Sequence, residues 1–276
     1  MPTFLSPHSL AHPAIPPGLD GLTILHLTDF HIRFPLDAAR GPRHKWLDQL
    51  LADVASVTVD LVALTGDYID SPRHEPLGLD LLDQLARIWK LTPAGAAVGI
   101  FGNHDTPSFR RSAKQQSDKT HIHWLDRQPL ALAMRPSSPP LTLAGYDHPE
   151  DFLSAPSLAM QPAPLLTLIH EPTALIPAAN AGLPILLAGH THGGQVRLSP
   201  RFAPHTSSDT PHHLAAGIIR LNHTLCAISR GLGDGVIEGL RINCPRQAPL
   251  YTLRRGQMVE HKGDPPCEQP VQVVGW

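Results

Sequence analysis

The chain has 276 residues, enough to bury a sizeable core in one or two domains. Its 22 lysines and arginines against 24 acidic residues leave a net charge of −2, which argues against a nucleic-acid partner and against an acidic solvating tail. Three cysteines, Cys226, Cys244 and Cys267, fall at no metal-binding or redox spacing, and so sparse and odd a set argues against a disulfide framework and for a reducing compartment.

Residues 1–20 read as a proline-rich segment without the basic and apolar regions of a secretory signal, and no window approaches the ~20 apolar residues of a membrane span. Residues 23–28 form a short strand ending at Asp29. Trp46, Leu47, Leu50, Leu51 and Val54 give helical spacing over 44–57. A buried-type strand over 60–65 ends at Gly66-Asp67, an amphipathic helix covers 77–88, and a third strand over 96–101 ends at Gly102-Asn103. This alternation predicts a βαβαβ unit with near-continuous apolar strands, hence a mainly parallel sheet covered on both faces.

The middle is less regular, with short strands expected in 122–132 and over 141–145. Strands over 165–169 and 185–188 lead into His170 and Gly189, and 217–221 and 225–229 flank the hairpin signal Asn222-His223-Thr224. Residues 241–243 and 250–253 read as closing strands, and 256–276 as a loosely ordered polar tail.

Five blocks follow these apolar runs: Asp29-Phe30-His31, Gly66-Asp67, Gly102-Asn103-His104-Asp105, His170-Glu171-Pro172 and Gly189-His190-Thr191-His192. Taken singly, each has a plain structural reading as a turn or a hydrogen-bonded strand end. Together they offer carboxylate and amide oxygens with imidazole nitrogens, a mixture that suits two borderline divalent metals sharing one site. Ligands of open α/β sheets gather beyond the carboxyl ends of the strands, where all five blocks sit. His190 and His192, at alternate positions of an extended segment, would point to the same side. Phe30, Phe34, Phe109, Phe152 and Leu153 could line an apolar groove, or merely pack.

In order and type these blocks resemble the calcineurin-like metallophosphoesterases, over about residues 20–255. Gly193-Gly194-Gln195-Val196-Arg197 and Ser229-Arg230-Gly231-Leu232-Gly233 resemble a bacterial subfamily that includes membrane-associated phosphodiesterases and a UDP-2,3-diacylglucosamine pyrophosphatase. Its typical member carries an N-terminal membrane segment and a glycine after the Asp-x-His-x pair; here no such segment is seen and Arg33 follows Ile32. The resemblance implies an α/β, four-layer α/β/β/α sandwich over 21–255, with two facing mixed sheets and helices outside.

It further implies that Asp29, His31 and His192 hold one metal, that Asn103, His170 and His190 hold a second, and that Asp67 bridges both. The metals would be Mn²⁺ in preference to Fe or Zn. The expected reaction is hydrolysis of a phosphodiester or pyrophosphate by in-line attack of a metal-bridging hydroxide, with His104 giving a proton to the leaving group. Asp105 would fix the His104 ring, with capping of backbone amides as the open alternative. Arg33 and Arg230 are candidate phosphate contacts, although Arg230 could equally bond carbonyls. A phosphomonoesterase, and a catalytically silent scaffold, are the rival functions. The expected substrate is small and phosphorylated or lipid-linked, in the cytoplasm or at the inner-membrane surface without a transmembrane segment.

Overall fold

The computed structural model describes residues 3–36, 44–154, 163–199, 202–206, 208–235, 237–257 and 271–275, with the side chains of 152–154 and 271–275 left aside. Among the described residues thirteen strands form two sheets. The strands are β1 (Leu5–His12), β2 (Thr23–Leu27), β3 (Thr58–Leu64), β4 (Lys90–Gly99), β5 (Ile122–Trp124), β6 (Leu130–Leu132), β7 (Leu141–Tyr146), β8 (Leu166–Ile169), β9 (Ile185–Ala188), β10 (Gly217–Leu221), β11 (Thr224–Ile228), β12 (Ala248–Arg255) and β13 (Val271–Gly275). The α-helices are α1 (Leu47–Ser56), α2 (Glu75–Ile88), α3 (Pro107–Gln115), α4 (Ser117–Thr120), α5 (Pro149–Ser154) and α6 (Leu175–Asn180).

The first sheet runs β1-β12-β2-β3-β4-β5 and the second β13-β10-β11-β9-β8-β7-β6. Strands β2, β3, β4 and β5 are mutually parallel, as are β7, β8, β9 and β11. Antiparallel pairs at β12–β2, β6–β7 and β10–β11 make both sheets mixed.

Side-chain alternation builds the layers. Ile24, Leu61, Ala63, Val98 and Ile100 of the first sheet meet Leu143, Leu166, Leu168, Ile185 and Leu187 of the second in one buried cluster. Their neighbours Leu25, Val62, Leu64 and Ala97 point the other way and pack on Leu47, Leu50 and Val54 of α1 and Leu81, Leu82 and Leu85 of α2. Ala144, Ile169, Leu186 and Ala188 likewise cover the far face of the second sheet with Leu175 and Ala178 of α6. This α/β/β/α order explains the continuous apolar runs: both faces of each central strand are buried.

Several elements differ from the sequence reading. The proline-rich start contains β1, whose eight residues pair in parallel with β12; it is an edge strand, where Pro7 costs no ladder bond on its open side. The stretch 122–132 splits into β5 of one sheet and β6 of the other. Residues 241–243 form no strand, only the isolated bridge Val196–Ile242. The tail returns as β13 on β10, while 258–270, Cys267 among them, lie outside the described residues.

Candidate metal centre

The five blocks converge because β2, β3 and β4 end on one side of the first sheet and β8, β9 and β11 on the same side of the second. Backbone bonds continue past the strand ends: Asp29 N donates to Gly66 O (3.0 Å) and His31 N to Asp67 O (3.0 Å). The loop after β11 is strapped to the same segment, with Leu232 N on Thr28 O (3.2 Å) and Gly233 N on Asp29 O (2.6 Å).

Asp29, His31, Asp67, His190 and His192 all adopt positive φ, between 42° and 69°. A non-glycine residue in that region carries strain of ~1–3 kcal/mol, and such strain collects at functional sites. Here the turns aim five side chains inward at once. The same angles correct one expectation: 190–192 is a tight turn, not an extended segment, so His190 and His192 enter different donor groups.

Donor atoms of Asp29, His31 and His192 lie within 4.8 Å of one another, as do those of Asp67, His170 and His190. His192 Nε2 is 2.9 Å from His31 Nε2 and 3.8 Å from Asp29 Oδ1. In the second group His190 Nδ1 is 3.2 Å from His170 Nε2, and Asn103 Oδ1 is 3.0 Å from each. Asp67 Oδ2 stands between the groups, 3.4 Å from His31 Nε2 and 3.2 Å from His170 Nε2. Ligands about 2.0–2.2 Å from one cation are spaced about 3 Å apart, so the separations suit metal coordination. His170 Nδ1 faces Thr65 O at 2.7 Å, which fixes the ring with Nε2 toward the cluster.

Glycines make the room. An added Cβ would sit 2.2 Å from Asp67 Oδ1 at Gly102, 2.4 Å from Asp29 Oδ2 at Gly189, and 2.8 Å from His192 Nε2 at Gly235.

The electrostatics fit a cation. Burial holds His31 down to about 4 and His192 well below the usual imidazole value, so both offer lone pairs at neutral pH. Burial raises the Asp29 carboxyl to about 6. Burial opposes a charged His170, yet the carboxylate of Asp67 raises it to about 10 and is itself held below the usual carboxylate range by that partner. The proton on His170 answers the Asp67 charge; a metal ion on the same atoms would replace it.

His104 reaches this cluster from the side. Its ring is 4.6 Å from that of His31, edge to face, and its backbone N–H donates to Asp67 Oδ1 at 2.9 Å. His31, Asp67 and His104 form a third donor group. The partner of the His104 ring is Asp70: Nδ1 lies 2.8 Å from the Asp70 carbonyl. Asp105 therefore does not hold that ring. It accepts from Asp67 N (2.9 Å), Tyr68 N (2.9 Å) and Gly102 N (2.8 Å), the amide-capping alternative. Burial and then the Asp67 charge push its carboxyl up to about 7, against the pull of those amides.

Arg33 is placed differently from a phosphate contact. Its guanidinium pairs with Asp70 at 2.8 Å and donates to Asp234 O at 2.8 Å. The Arg230 stem passes Gly193, beside His192, and its guanidinium has no hydrogen-bond partner among the described residues. Phe30 and Phe109 are fully buried and line no groove; the side chains of Phe152 and Leu153 lie outside the description.

Three supports went unnoticed in the sequence as parts of the site. Arg110 of α3 donates to Asp105 O (2.7 Å) and Gly102 O (2.9 Å) and pairs with Asp147 (3.0 Å), clamping the Asn103-His104 loop. Arg241 lies 3.5 Å from His192 Nδ1 and pairs with buried Asp234 at 2.9 Å. Buried Arg197 donates to Gly193 O at 2.9 Å. Arg197 closes the Gly193–Arg197 block, but its contact with the site, like those of Arg110 and Arg241, exists only in the folded chain.

The calcineurin-like phosphoesterase model matches residues 22–194, more than half of the chain. The protein belongs to that family. It is therefore a phosphoester hydrolase of a metal-dependent class. The chain is 25 % identical over 259 residues to the uncharacterized metallophosphoesterase YkuE of Bacillus subtilis (strain 168), covering 90 % of this chain and 84 % of the relative. With YkoQ of the same strain, another uncharacterized metallophosphoesterase, it shares 27 % over 187 residues, 65 % of this chain and 64 % of the relative, just under two thirds of YkoQ. The phosphodiesterase YaeI of Escherichia coli (strain K12) is 27 % identical, over 70 % of each chain. No helix among the described residues is long and apolar enough to cross a membrane.

Proposed function

We propose that this phosphoesterase cleaves a phosphodiester or pyrophosphate at a centre of two divalent metals, Mn²⁺ in preference to Fe or Zn. The observation that carries the reading is Asp67 Oδ2 lying between two donor groups. Asp29, His31 and His192 would hold one ion, Asn103, His170 and His190 the other, and Asp67 both. Two such ions, when bound, supply an acidified water and neutralise phosphate oxygens.

The chain's own residues do the rest. His104 donates a proton from Nε2 to the leaving oxygen, and the Asp70 carbonyl at Nδ1 orients the ring for it. Arg230 contacts the phosphate. Diesters are favoured because Arg33 and Arg110 are engaged by Asp70, Asp147 and carbonyls, which leaves few cations for a dianionic terminal phosphate. The name of YaeI agrees with that preference. Buried free Cys226 and Cys244 support a reducing, cytoplasmic setting.

The test is His104→Ala on matched aryl esters. Turnover should fall by ~10²–10⁴ with metal content kept, and by less when nitrophenolate leaves, since it needs no proton. Loss of metal instead would make His104 a ligand. A higher kcat/KM for the aryl monoester than for the diester would overturn the diesterase assignment.

A further inference from the structure

The loop Ser229–Gly233 follows β11 and lies against the candidate metal centre: a Cβ on Gly231, which adopts φ 68°, would sit 2.7 Å from Asp29 Cβ. Every backbone polar group from Arg230 to Gly233 is bonded. The carbonyls accept in turn from Arg241 Nη1 (3.0 Å), Gln247 N (3.2 Å), Arg246 Nε (2.8 Å) and Arg241 Nη2. The amides donate in turn to Gln247 Oε1 (3.4 Å), Ser229 Oγ (3.1 Å), Thr28 O (3.2 Å) and Asp29 O (2.6 Å). So complete an accounting makes the loop a rigid platform. The Arg230 guanidinium is the one polar group of these four residues without a partner among the described residues.

Gln247 has a place that no other support of the loop shares. It is buried, and it holds the amide of Arg230 itself. Its own backbone also meets the loop, its N–H at Gly231 O and its carbonyl at Ser229 Oγ (3.5 Å). The far end of its side chain is fixed in turn by β1. There Nε2 donates to Ser6 Oγ at 3.1 Å and faces His8 Nε2 at 3.3 Å, and those two side chains are 2.8 Å apart. Ser6 and His8 share a face of β1 because strand side chains alternate. Since β1 runs parallel to β12 and β12 antiparallel to β2, this start of β1 lies at the Asp29 end of the sheet. Burial, and then the Arg230 charge, lower His8, so a neutral ring accepts at Nε2.

We infer that Gln247 is a positioning residue for Arg230: held by Ser6 and His8, its side chain fixes the Arg230 backbone so that the guanidinium stands ready for the substrate phosphate. The inference rests on the proposed contact of Arg230 with that phosphate. Two anchors define where the guanidinium can reach. One is the amide on Gln247 Oε1; the other is the stem, whose Cγ would lie 3.1 Å from a Cβ at Gly193. A side chain whose root is already ordered loses less freedom on binding, so the gain appears in affinity. An apolar side chain of the same length would fill the space but leave Arg230 N and Ser6 Oγ without Gln247.

The test is a double-mutant cycle on the metal-loaded protein with methyl 4-nitrophenyl phosphate. Gln247→Met keeps the length of the side chain and removes both polar ends. It should raise KM about tenfold with kcat within about twofold, inside the coupling range of neighbouring residues. Elemental analysis should show the parent's metal content. In an Arg230→Ala background the same substitution should change KM by less than about twofold, a result that general loosening of the fold would not give. An undiminished effect in that background, an unchanged KM in Gln247→Met, or lost metal would each overturn the inference. An unchanged KM in Arg230→Ala overturns it too, while hydrolysis of the diester leaves the two-metal reading standing. If Gln247→Met does not fold, His8→Ala, which frees the far end of the Gln247 amide, is read through the same cycle: a rise in KM that vanishes beside Arg230→Ala supports the role, and any other result overturns it. If the parent cleaves no ester, the two-metal reading fails, and calorimetry with inorganic phosphate runs the cycle on affinity. A loss in Gln247→Met that vanishes beside Arg230→Ala then supports the positioning role, and any other result overturns it.

Discussion

Asp105→Ala separates two roles for one carboxylate. In the folded protein Asp105 is 1 % exposed and accepts from three backbone amides, those of Asp67, Tyr68 and Gly102, at 2.8–2.9 Å. A fourth, longer bond comes from Ile69 N at 3.4 Å; truncation unpairs the three short ones at ~1–3 kcal/mol each, or ~3–9 kcal/mol, and the Ile69 donor besides. Relief of repulsion from Asp67, and water entering the space left, return part of this. The expected loss is about 3–5 kcal/mol, a large share of the ~5–15 kcal/mol of a typical domain. Asp105→Asn should lose roughly half as much, since its amide oxygen still accepts but its NH₂ faces a donor. Urea unfolding of the chelated protein, with an unchanged m-value, reads the difference. Because Asp70 and not Asp105 holds the His104 ring, both variants should lose metal affinity together with turnover. Unchanged stability with a fall in kcat alone would refute the capping role.

Three more expectations follow from the same geometry. Asp67→Ala should lower the occupancy of both metal sites in elemental analysis, because its carboxylate faces both donor groups; full occupancy would sink the two-metal assignment. Arg110→Ala should cut kcat/KM by ~10–100-fold through loosening of the loop that carries Asn103 and His104, with little rescue by lysine, which cannot fork across the Gly102 and Asp105 carbonyls. His26 is fully buried and burial holds it down to about 3 from 6.5. Between those values the unfolded chain binds the proton and the folded chain does not, so stability present above pH 6.5 is lost as pH falls, by about 1.4 kcal/mol per unit. His26→Gln, which can keep the Thr65 bond, should show a shallower loss in chelated protein; equal slopes would dismiss this titration.

The sequence by itself determined the strands β2, β3, β4, β8 and β9, because each is a run of apolar residues buried on both faces. It also determined where the donors lie, because each block follows such a strand and strand ends are where parallel sheets present their loops. The donor types were legible because the five blocks together pair carboxylate and amide oxygens with imidazoles; the choice of Asp29, Asp67, Asn103 and four histidines as the ligand set came from the family resemblance. Assignment to β5 or β6 was not legible within 122–132, since an apolar residue carries no mark of which sheet it joins. Nor was β1, whose pairing with β12 joins segments about 240 residues apart.

Only the tertiary structure decided what each residue of the site touches. Positive φ at His190 and His192 sends two side chains at alternate positions into different donor groups, which a sequence period cannot express. Asp105 caps amides and Asp70 orients His104 because the loop after β3 folds over the loop after β4, a contact between segments that share no local pattern. Arg33 looked available for phosphate until Asp70 and the Asp234 carbonyl were seen to surround it. The Val196–Ile242 bridge has the same origin: both are ordinary apolar residues in the sequence, and folding alone pairs them and leaves Ile242 exposed.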